Sequence, residues 1–261
     1  MSDVFSLEGK SAVVTGLSSG IGQSIAEALA RQGANVAGDY LSNADGAAET
    51  ARLVEAEGRE ALIVQGDTGD EAHVRGLATR TVDRWGSLDI WVNNAARLMV
   101  RPFFDTSTED WHGLLAANLH GYYHGCKAAA EQMRGPGPGR IINIGSQADV
   151  QGITGLSAYV TAKGGILGLT RVLALELAEH DVTVNTVSPG PTETPLNVTA
   201  YTPEVRAAYN ERIGLGRIAV PEEVADVVCF VASHASRFIT GQEILVDGVL
   251  SINGNVGHAQ T

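Results

Sequence analysis

Short β-branched runs alternate along this chain with longer stretches whose apolar residues recur at helical spacing. Ser11 to Thr15, Asn35 to Tyr40, Ala61 to Gln65, Leu88 to Asn93, Arg140 to Gly145, Val182 to Val187 and Glu243 to Val246 read as strands. Helix-length patterns fill the gaps, the clearest from Ile21 to Arg31, where Ile21, Ile25, Ala28 and Leu29 share one face. Strand-then-helix order repeated this often calls for a parallel sheet, because each parallel crossover needs a connection of helix length. The expectation is an α/β protein: a doubly wound parallel sheet with helices on both faces. Ligands of such sheets bind beyond the carboxyl ends of the strands.

Three stretches depart from the alternation. Gly135 to Gly139 reads Gly-Pro-Gly-Pro-Gly, a stiff turn between helix and strand. The segment 192–216 separates the Pro189-Gly190 turn from a helix beginning near Pro221, and loops this long are usually functional or mobile. Residues 253–261 show no periodicity. With 261 residues and 44% apolar content the chain can bury one large core, so 1–261 is expected to form a single domain.

Candidate chemistry falls just after the strands. Gly16, Gly20 and Gly22, with Ser18, Ser19 and Ile21 between them, lie where the first strand hands over to the first helix. Glycines there let the backbone approach a pyrophosphate at a helix N-terminus, where free N–H groups and the macrodipole favour an anion. Tyr159 and Lys163 stand four apart, which on a helix puts both on one face. A phenol is a poor base near pH 7, and a nearby ammonium favours its ionised form. Ser146 offers a hydroxyl that can steady the same oxygen as charge develops. Together these residues suit proton exchange with an alcohol or carbonyl beside a nucleotide.

The combination resembles the classical short-chain dehydrogenases/reductases, from about Leu7 to Asn253. Thr15-Gly16-Leu17-Ser18-Ser19-Gly20-Ile21-Gly22, Asn93-Asn94-Ala95-Ala96 and Tyr159-Val-Thr-Ala-Lys163 match its motifs, with Asp67, Asn118, Ser146 and Pro189-Gly190 in the family's order. The implied fold is a Rossmann fold, and the implied tetrad is Asn118, Ser146, Tyr159 and Lys163. Tyr159 would be the acid/base, Lys163 would lower its pKa and hold the ribose, Ser146 would orient the substrate, and Asn118 would support a proton relay through water. By the same likeness Asp67 and Thr68 would lie near the adenine, and Asn94, Ala95 and Ala96 would line the cofactor. Pro189, Gly190, Thr192 and Thr194 would face the nicotinamide, 192–216 would form a substrate lid, and homotetramers are expected. Two departures are visible: Ala96 stands where glycine is usual, and Asp247-Gly248-Val249 replaces Asp-Gly-Gly. They imply slightly altered packing and retained chemistry.

Cofactor choice turns on the end of the second strand, Gly38 to Asn43, which holds no arginine or lysine to neutralise a 2′-phosphate. Asp39, Tyr40 and Leu41 are its candidate contacts. Asp39 would repel that phosphate if it faces the pocket, although the family's selecting carboxylate falls where this chain has Tyr40. NAD is favoured over NADP. For the substrate, Glu193 to Asn197 and Phe238 to Gly241 look like the glucose 1-dehydrogenase branch, which oxidises an aldose at C1 to a lactone. Asn197 and Gln147 could bond sugar hydroxyls, and Arg97 with Arg101 could clamp an acidic group. The alternatives are a 3-oxoacyl thioester or other carbonyl reductase using NADPH, and a nucleotide sensor without catalysis, against which the intact tetrad argues.

Charge narrows the partners. A formal net charge of −12 without a basic stripe disfavours nucleic acid. No apolar run approaches the roughly 18 residues of a membrane span, and the first ten residues lack a basic region and a long apolar stretch. A cytoplasmic enzyme is expected. Cys126 and Cys229 sit in apolar helical patterns and read as buried structural thiols. The seven histidines show no zinc-site spacing, and His258 differs only in lying on the tail. No metal is expected.

Overall fold

The computed structural model describes residues 4–135, 137–198 and 200–254. Seven parallel strands form one sheet: β1 (Ser11–Val14), β2 (Asn35–Tyr40), β3 (Ala61–Gln65), β4 (Ile90–Asn93), β5 (Gly139–Ile144), β6 (Val182–Pro189) and β7 (Glu243–Val246). Their spatial order is β3-β2-β1-β4-β5-β6-β7, so the winding reverses between β1 and β4. All seven expected strands are present, with ends shifted by at most two residues.

Alternation along the strands sorts the core into two layers. Ala12 and Val14 of β1 face one side, with α1 (Gly20–Arg31), α2 (Ala44–Ala56) and α9 (Pro221–Ala232). Val13 faces the other, with α3 (Glu71–Trp85), α5 (Gly121–Gln132) and α7 (Ser157–Glu176). Being covered on both faces, the central strands are apolar almost throughout. Among their buried polar side chains a ladder crosses the sheet: Asn93 Nδ2 donates to Asn143 Oδ1 (2.8 Å), Asn143 Nδ2 donates to Thr170 Oγ1 (2.9 Å), and the hydroxyls of Thr170 and Thr186 are 2.8 Å apart. Asn93, Asn143 and Thr186 occupy one register row, so the ladder satisfies buried amides and ties three strands to α7.

Between β4 and α5 lie α4 (Thr108–Leu115), started by the Ser107–Asp110 capping box, and a π-helical turn at Ala116–His120. A short α6 (Ala148–Gln151) follows β5. The segment 192–216 contains a 3₁₀ turn (Pro195–Asn197) and α8 (Pro203–Arg212), whose Thr202 cap accepts from Val205 N. Arg206 forks onto Glu193, and the tilted rings of Tyr201 and Tyr209 pack with centres 5.4 Å apart beside Ile213, Ile218 and Leu250. The expected lid is therefore a folded flap anchored at its base. Both cysteines are buried, and burial pushes each thiol up to about 12, as inert structural thiols require. Among the described residues no helix is long and apolar enough to cross a membrane. Of the tail, only Asn253 and Gly254 fall within the described residues, and His258 lies outside them.

Candidate active site

At the carboxyl edge of the sheet, where the winding reverses, lies a cleft of about 1200 Å³. One end is the β1–α1 turn. Gly16 (φ +67°) and Gly20 (φ +56°) are left-handed, and a Cβ on Gly22 would lie 2.4 Å from Asn94 Nδ2 and 2.5 Å from the Gly16 carbonyl oxygen. Ser19 precedes α1 without a side-chain cap, so the first-turn amides of α1 keep no side-chain partner. Asn94 Nδ2 donates to the carbonyls of Thr15 (2.9 Å) and Gly16 (3.2 Å), while Thr15 Oγ1 accepts from Asn94 N and Ala95 N. The cradle has the shape and the unpaired donors that a pyrophosphate needs.

Most of the expected contacts line this one cleft. Gly16, Ser18, Ser19, Gly20, Ile21, Gly22, Asp39, Leu41, Asp67, Thr68, Asn94, Ala95 and Ala96 surround one part of it. Ser146, Gln147, Tyr159, Lys163, Pro189, Gly190, Thr192, Thr194, Asn197 and Arg97 surround the rest. Tyr40 and Asn118 do not line it. Successive strand residues point to opposite sides, so Asp39, not Tyr40, faces the glycine turn. Arg101 does not reach the cleft either: its guanidinium pairs with Asp110, and a clamp of two arginines is not formed. Arg97 stays at the mouth with no ion-pair partner among the described residues.

Asp39 is buried, and its carboxylate is already engaged. Oδ1 accepts from Gly16 N (2.7 Å) and Oδ2 lies 3.1 Å from His73 Nε2, which must carry the proton because a carboxylate only accepts. Hydrogen bonding to Asp39 raises the pKa of His73, with burial opposing. Sequence reasoning passed over His73, whose relation to Asp39 depends on β2 and α3 being packed together.

Tyr159 and Lys163 share the buried face of α7. Burial pushes the phenol of Tyr159 up to about 12, the Ser146 hydroxyl drawing it the other way, and pushes Lys163 down to about 7. Lys163 Nζ donates to the hydroxyl of Tyr122 (2.9 Å) and to the Ile144 carbonyl (2.7 Å), and stands 5.7 Å from the Tyr159 ring centre. The expected lowering of the Tyr159 pKa by the lysine is thus not realised in this conformation, where desolvation dominates. Tyr122 is the site residue that the motifs gave no sign of. Asn118, in the π-turn, spends its amide on one neighbour, Oδ1 accepting from Arg97 N and Nδ2 donating to Arg97 O, both at 2.8 Å. Its visible action is to fix the irregular segment that follows the Asn-Asn-Ala-Ala turn, at a helix irregularity of the kind that clusters at functional sites.

Two buried oxygens in the cleft wall, Gln147 Oε1 and Thr194 Oγ1, have no hydrogen-bond partner among the described residues, and a bound molecule would satisfy them. Behind Ser146, both oxygens of Asp149 are buried, and burial, reinforced by the charge of Glu243, pushes its carboxyl up to about 6.

Comparison with known proteins agrees with this geometry. A family model described as "Enoyl-(Acyl carrier protein) reductase" matches residues 16–250. The chain is 36% identical over 248 residues to 3β-hydroxysteroid dehydrogenase 1 of Eggerthella lenta, covering 94% of this chain and 95% of that one. It is 36% identical over 256 residues to L-2,3-butanediol dehydrogenase of Corynebacterium glutamicum, with 94% and 99% covered. A solved gluconate 5-dehydrogenase of Burkholderia cenocepacia, in complex with NADP and tartrate, superimposes with TM-score 0.90 at 32% identity, covering 96% and 98%. Likeness of this extent, in sequence and in fold together, makes the chain a member of the short-chain dehydrogenase/reductase family, an oxidoreductase acting on CH–OH groups.

Proposed function

We propose that this protein oxidises a secondary alcohol, or reduces the matching ketone, with NAD preferred to NADP and with a substrate whose body is largely apolar. The observation carrying the reading is the convergence of Ser146, Tyr159 and Lys163 in the same cleft as the glycine cradle. The glycine turn and α1 would hold the pyrophosphate, Asp67 and Thr68 the adenine side, Lys163 a ribose, and Pro189, Gly190, Thr192 and Thr194 the carboxamide. When bound, the nicotinamide supplies the hydride acceptor or donor. Tyr159 takes the hydroxyl proton in oxidation and returns it to the carbonyl oxygen in reduction. Ser146 hydrogen-bonds that oxygen as its charge changes. For Tyr159 to act as a base, the charged form of Lys163 must offset its desolvation, which calls for the lysine to leave Tyr122 toward the cleft. The flap 192–216 shields the site from water.

Leu98, Val100, Ile153, Leu156, Leu196 and Val205 all line the substrate side of the cleft, which favours an apolar body. An aldose is the second reading, favoured by the unpartnered Gln147 Oε1, with Asn197 and Arg97 as further contacts; Asn197 Nδ2, however, already donates to Thr192 O (3.0 Å). A sugar would leave several hydroxyls facing hydrocarbon. A cytoplasmic homotetramer remains the proposed form, and the exposed Val172 and Leu175 of α7 are apolar surface that a subunit contact would cover.

Reduced-nicotinamide absorbance with NAD or NADP, across apolar secondary alcohols, their ketones and aldoses, tests this. Turnover of an apolar alcohol with NAD, falling about 10²- to 10⁴-fold in Tyr159→Phe, is expected. Faster turnover of an aldose would replace the substrate reading, and an unimpaired variant would remove Tyr159 from the proton transfer.

A further inference from the structure

The Asp39–His73 pair lies outside any motif, yet it sits directly under the glycine turn. Asp39 holds Gly16 N through one oxygen and meets His73 Nε2 with the other, so its charge is fixed at the floor of the cleft. Around it Ser18, Leu41, Ser42 and Asn43 line the cleft with hydroxyl, amide and hydrocarbon, while Asp67 adds a second carboxylate on the adenine side. The proton on His73 therefore changes the net charge at this end by one unit.

The imidazole has a built seat. A Cβ on Gly66 would lie 2.0 Å from the His73 ring, so glycine at the end of β3 is what admits the ring. Besides Asp39 of β2, the charges acting on His73 come from its own helix α3: Asp70, which favours the imidazolium, and Arg80, which opposes it. The other charged groups nearby do not contact the His73 ring. Asp67 Oδ1 accepts from Gly69 N, and from α5 Lys127 pairs with Glu71 while His124 Nδ1 faces the Thr68 carbonyl.

We propose that His73 and Asp39 form a proton-controlled charge beneath the adenosine ribose that sets how well the cleft tolerates a 2′-phosphate. This rests on the dinucleotide reading given above. With His73 protonated the pair is neutral and NADP is admitted. With His73 neutral the carboxylate stands alone, repels the added phosphate, and selection moves to NAD. Because the hydrogen bond to Asp39 holds the imidazole pKa above its ordinary value, the change falls at or above the usual histidine range. NAD lacks the 2′-phosphate and feels the change less.

Calorimetric titration of the full-length protein with NAD and with NADP between pH 6.5 and 9 tests this, read as the ratio of the two dissociation constants. In the wild type the ratio Kd(NADP)/Kd(NAD) should rise about threefold to tenfold with pH. In His73→Gln, which keeps an N–H donor for Asp39 and cannot titrate, that rise should vanish. The ionisation of the 2′-phosphate itself, near pH 6, is common to both proteins and cancels. Linkage supplies an arm needing no variant: if protonation favours NADP, then NADP must raise the His73 pKa, followed by NMR, more than NAD does. Identical pH curves for wild type and variant, or equal His73 pKa values with the two cofactors, would overturn the proposal while leaving the dinucleotide reading intact. Binding of neither dinucleotide would overturn both.

Discussion

Burial works against Lys163. Its Nζ is taken out of water, which favours the neutral amine, and among the described residues two acceptors, Tyr122 Oη and the Ile144 carbonyl, compensate. Tyr122 itself donates to Ile144 O (3.0 Å), and its oxygen accepts from the lysine. Tyr122→Phe should therefore lower the pKa of Lys163 further below about 7 and lose protonated lysine at a lower pH. In a pH profile of kcat/KM the alkaline limb should move to lower pH, with a loss of about threefold to tenfold at pH 8. An unchanged limb with a uniform loss would mean that Tyr122 only fills space. Neither Tyr122 nor His73 was legible in the sequence, since each acts on a partner 34 or more positions away along the chain. Tyr159, Lys163 and Ser146 were legible because the family's chemistry fixes their spacing.

At the scale of elements, strands were read almost to the residue because a buried parallel strand is a short apolar run between turn residues. The glycine turn was legible for a different reason: its backbone excludes side chains, so composition records geometry. What the pattern could not show was the π-turn at Ala116–His120, which looks like ordinary helix when read by apolar spacing. The turn after β7 is a case where sequence and geometry meet. The family's glycine is replaced there by Val249, which stands at φ +67°, a conformation that a β-branched residue adopts only under strain. The expected altered packing is thus a backbone strain. Val249→Gly should relieve it, and because the side chain is about half exposed (48%) little contact is lost. A gain of about 1 kcal/mol, seen as a higher urea midpoint at unchanged m-value, is expected. A drop in the midpoint would mean that contact with the flap base, where a Cβ on Gly214 would lie 2.3 Å from Val249 Cγ2, outweighs the strain.

For the whole molecule, Asp149 makes stability depend on pH in a direction opposite to that of most carboxylates. Its folded pKa, about 6, lies above the ordinary value near 4, so the folded state binds the proton more tightly than the unfolded chain. The contribution is complete below about pH 4 and is lost as pH rises through 6. Asp149→Asn stays neutral at every pH. It should exceed the wild type by about 1 to 2 kcal/mol in urea unfolding at pH 8 and approach it at pH 5. An equal difference at both pH values would assign the effect to packing instead.

The reversal of winding between β1 and β4 has a consequence for synthesis. The cleft draws one wall from the segment around Gly16 and the other from residues out to Asn197, and β1 joins the second half of the sheet only through β4. On the ribosome, the strands β1 to β3 can assemble early, but no dinucleotide can be gripped at both ends until β6 has cleared the exit tunnel. If the cleft holds a dinucleotide as proposed, a product truncated before β6 lacks one of its walls however well the first half folds.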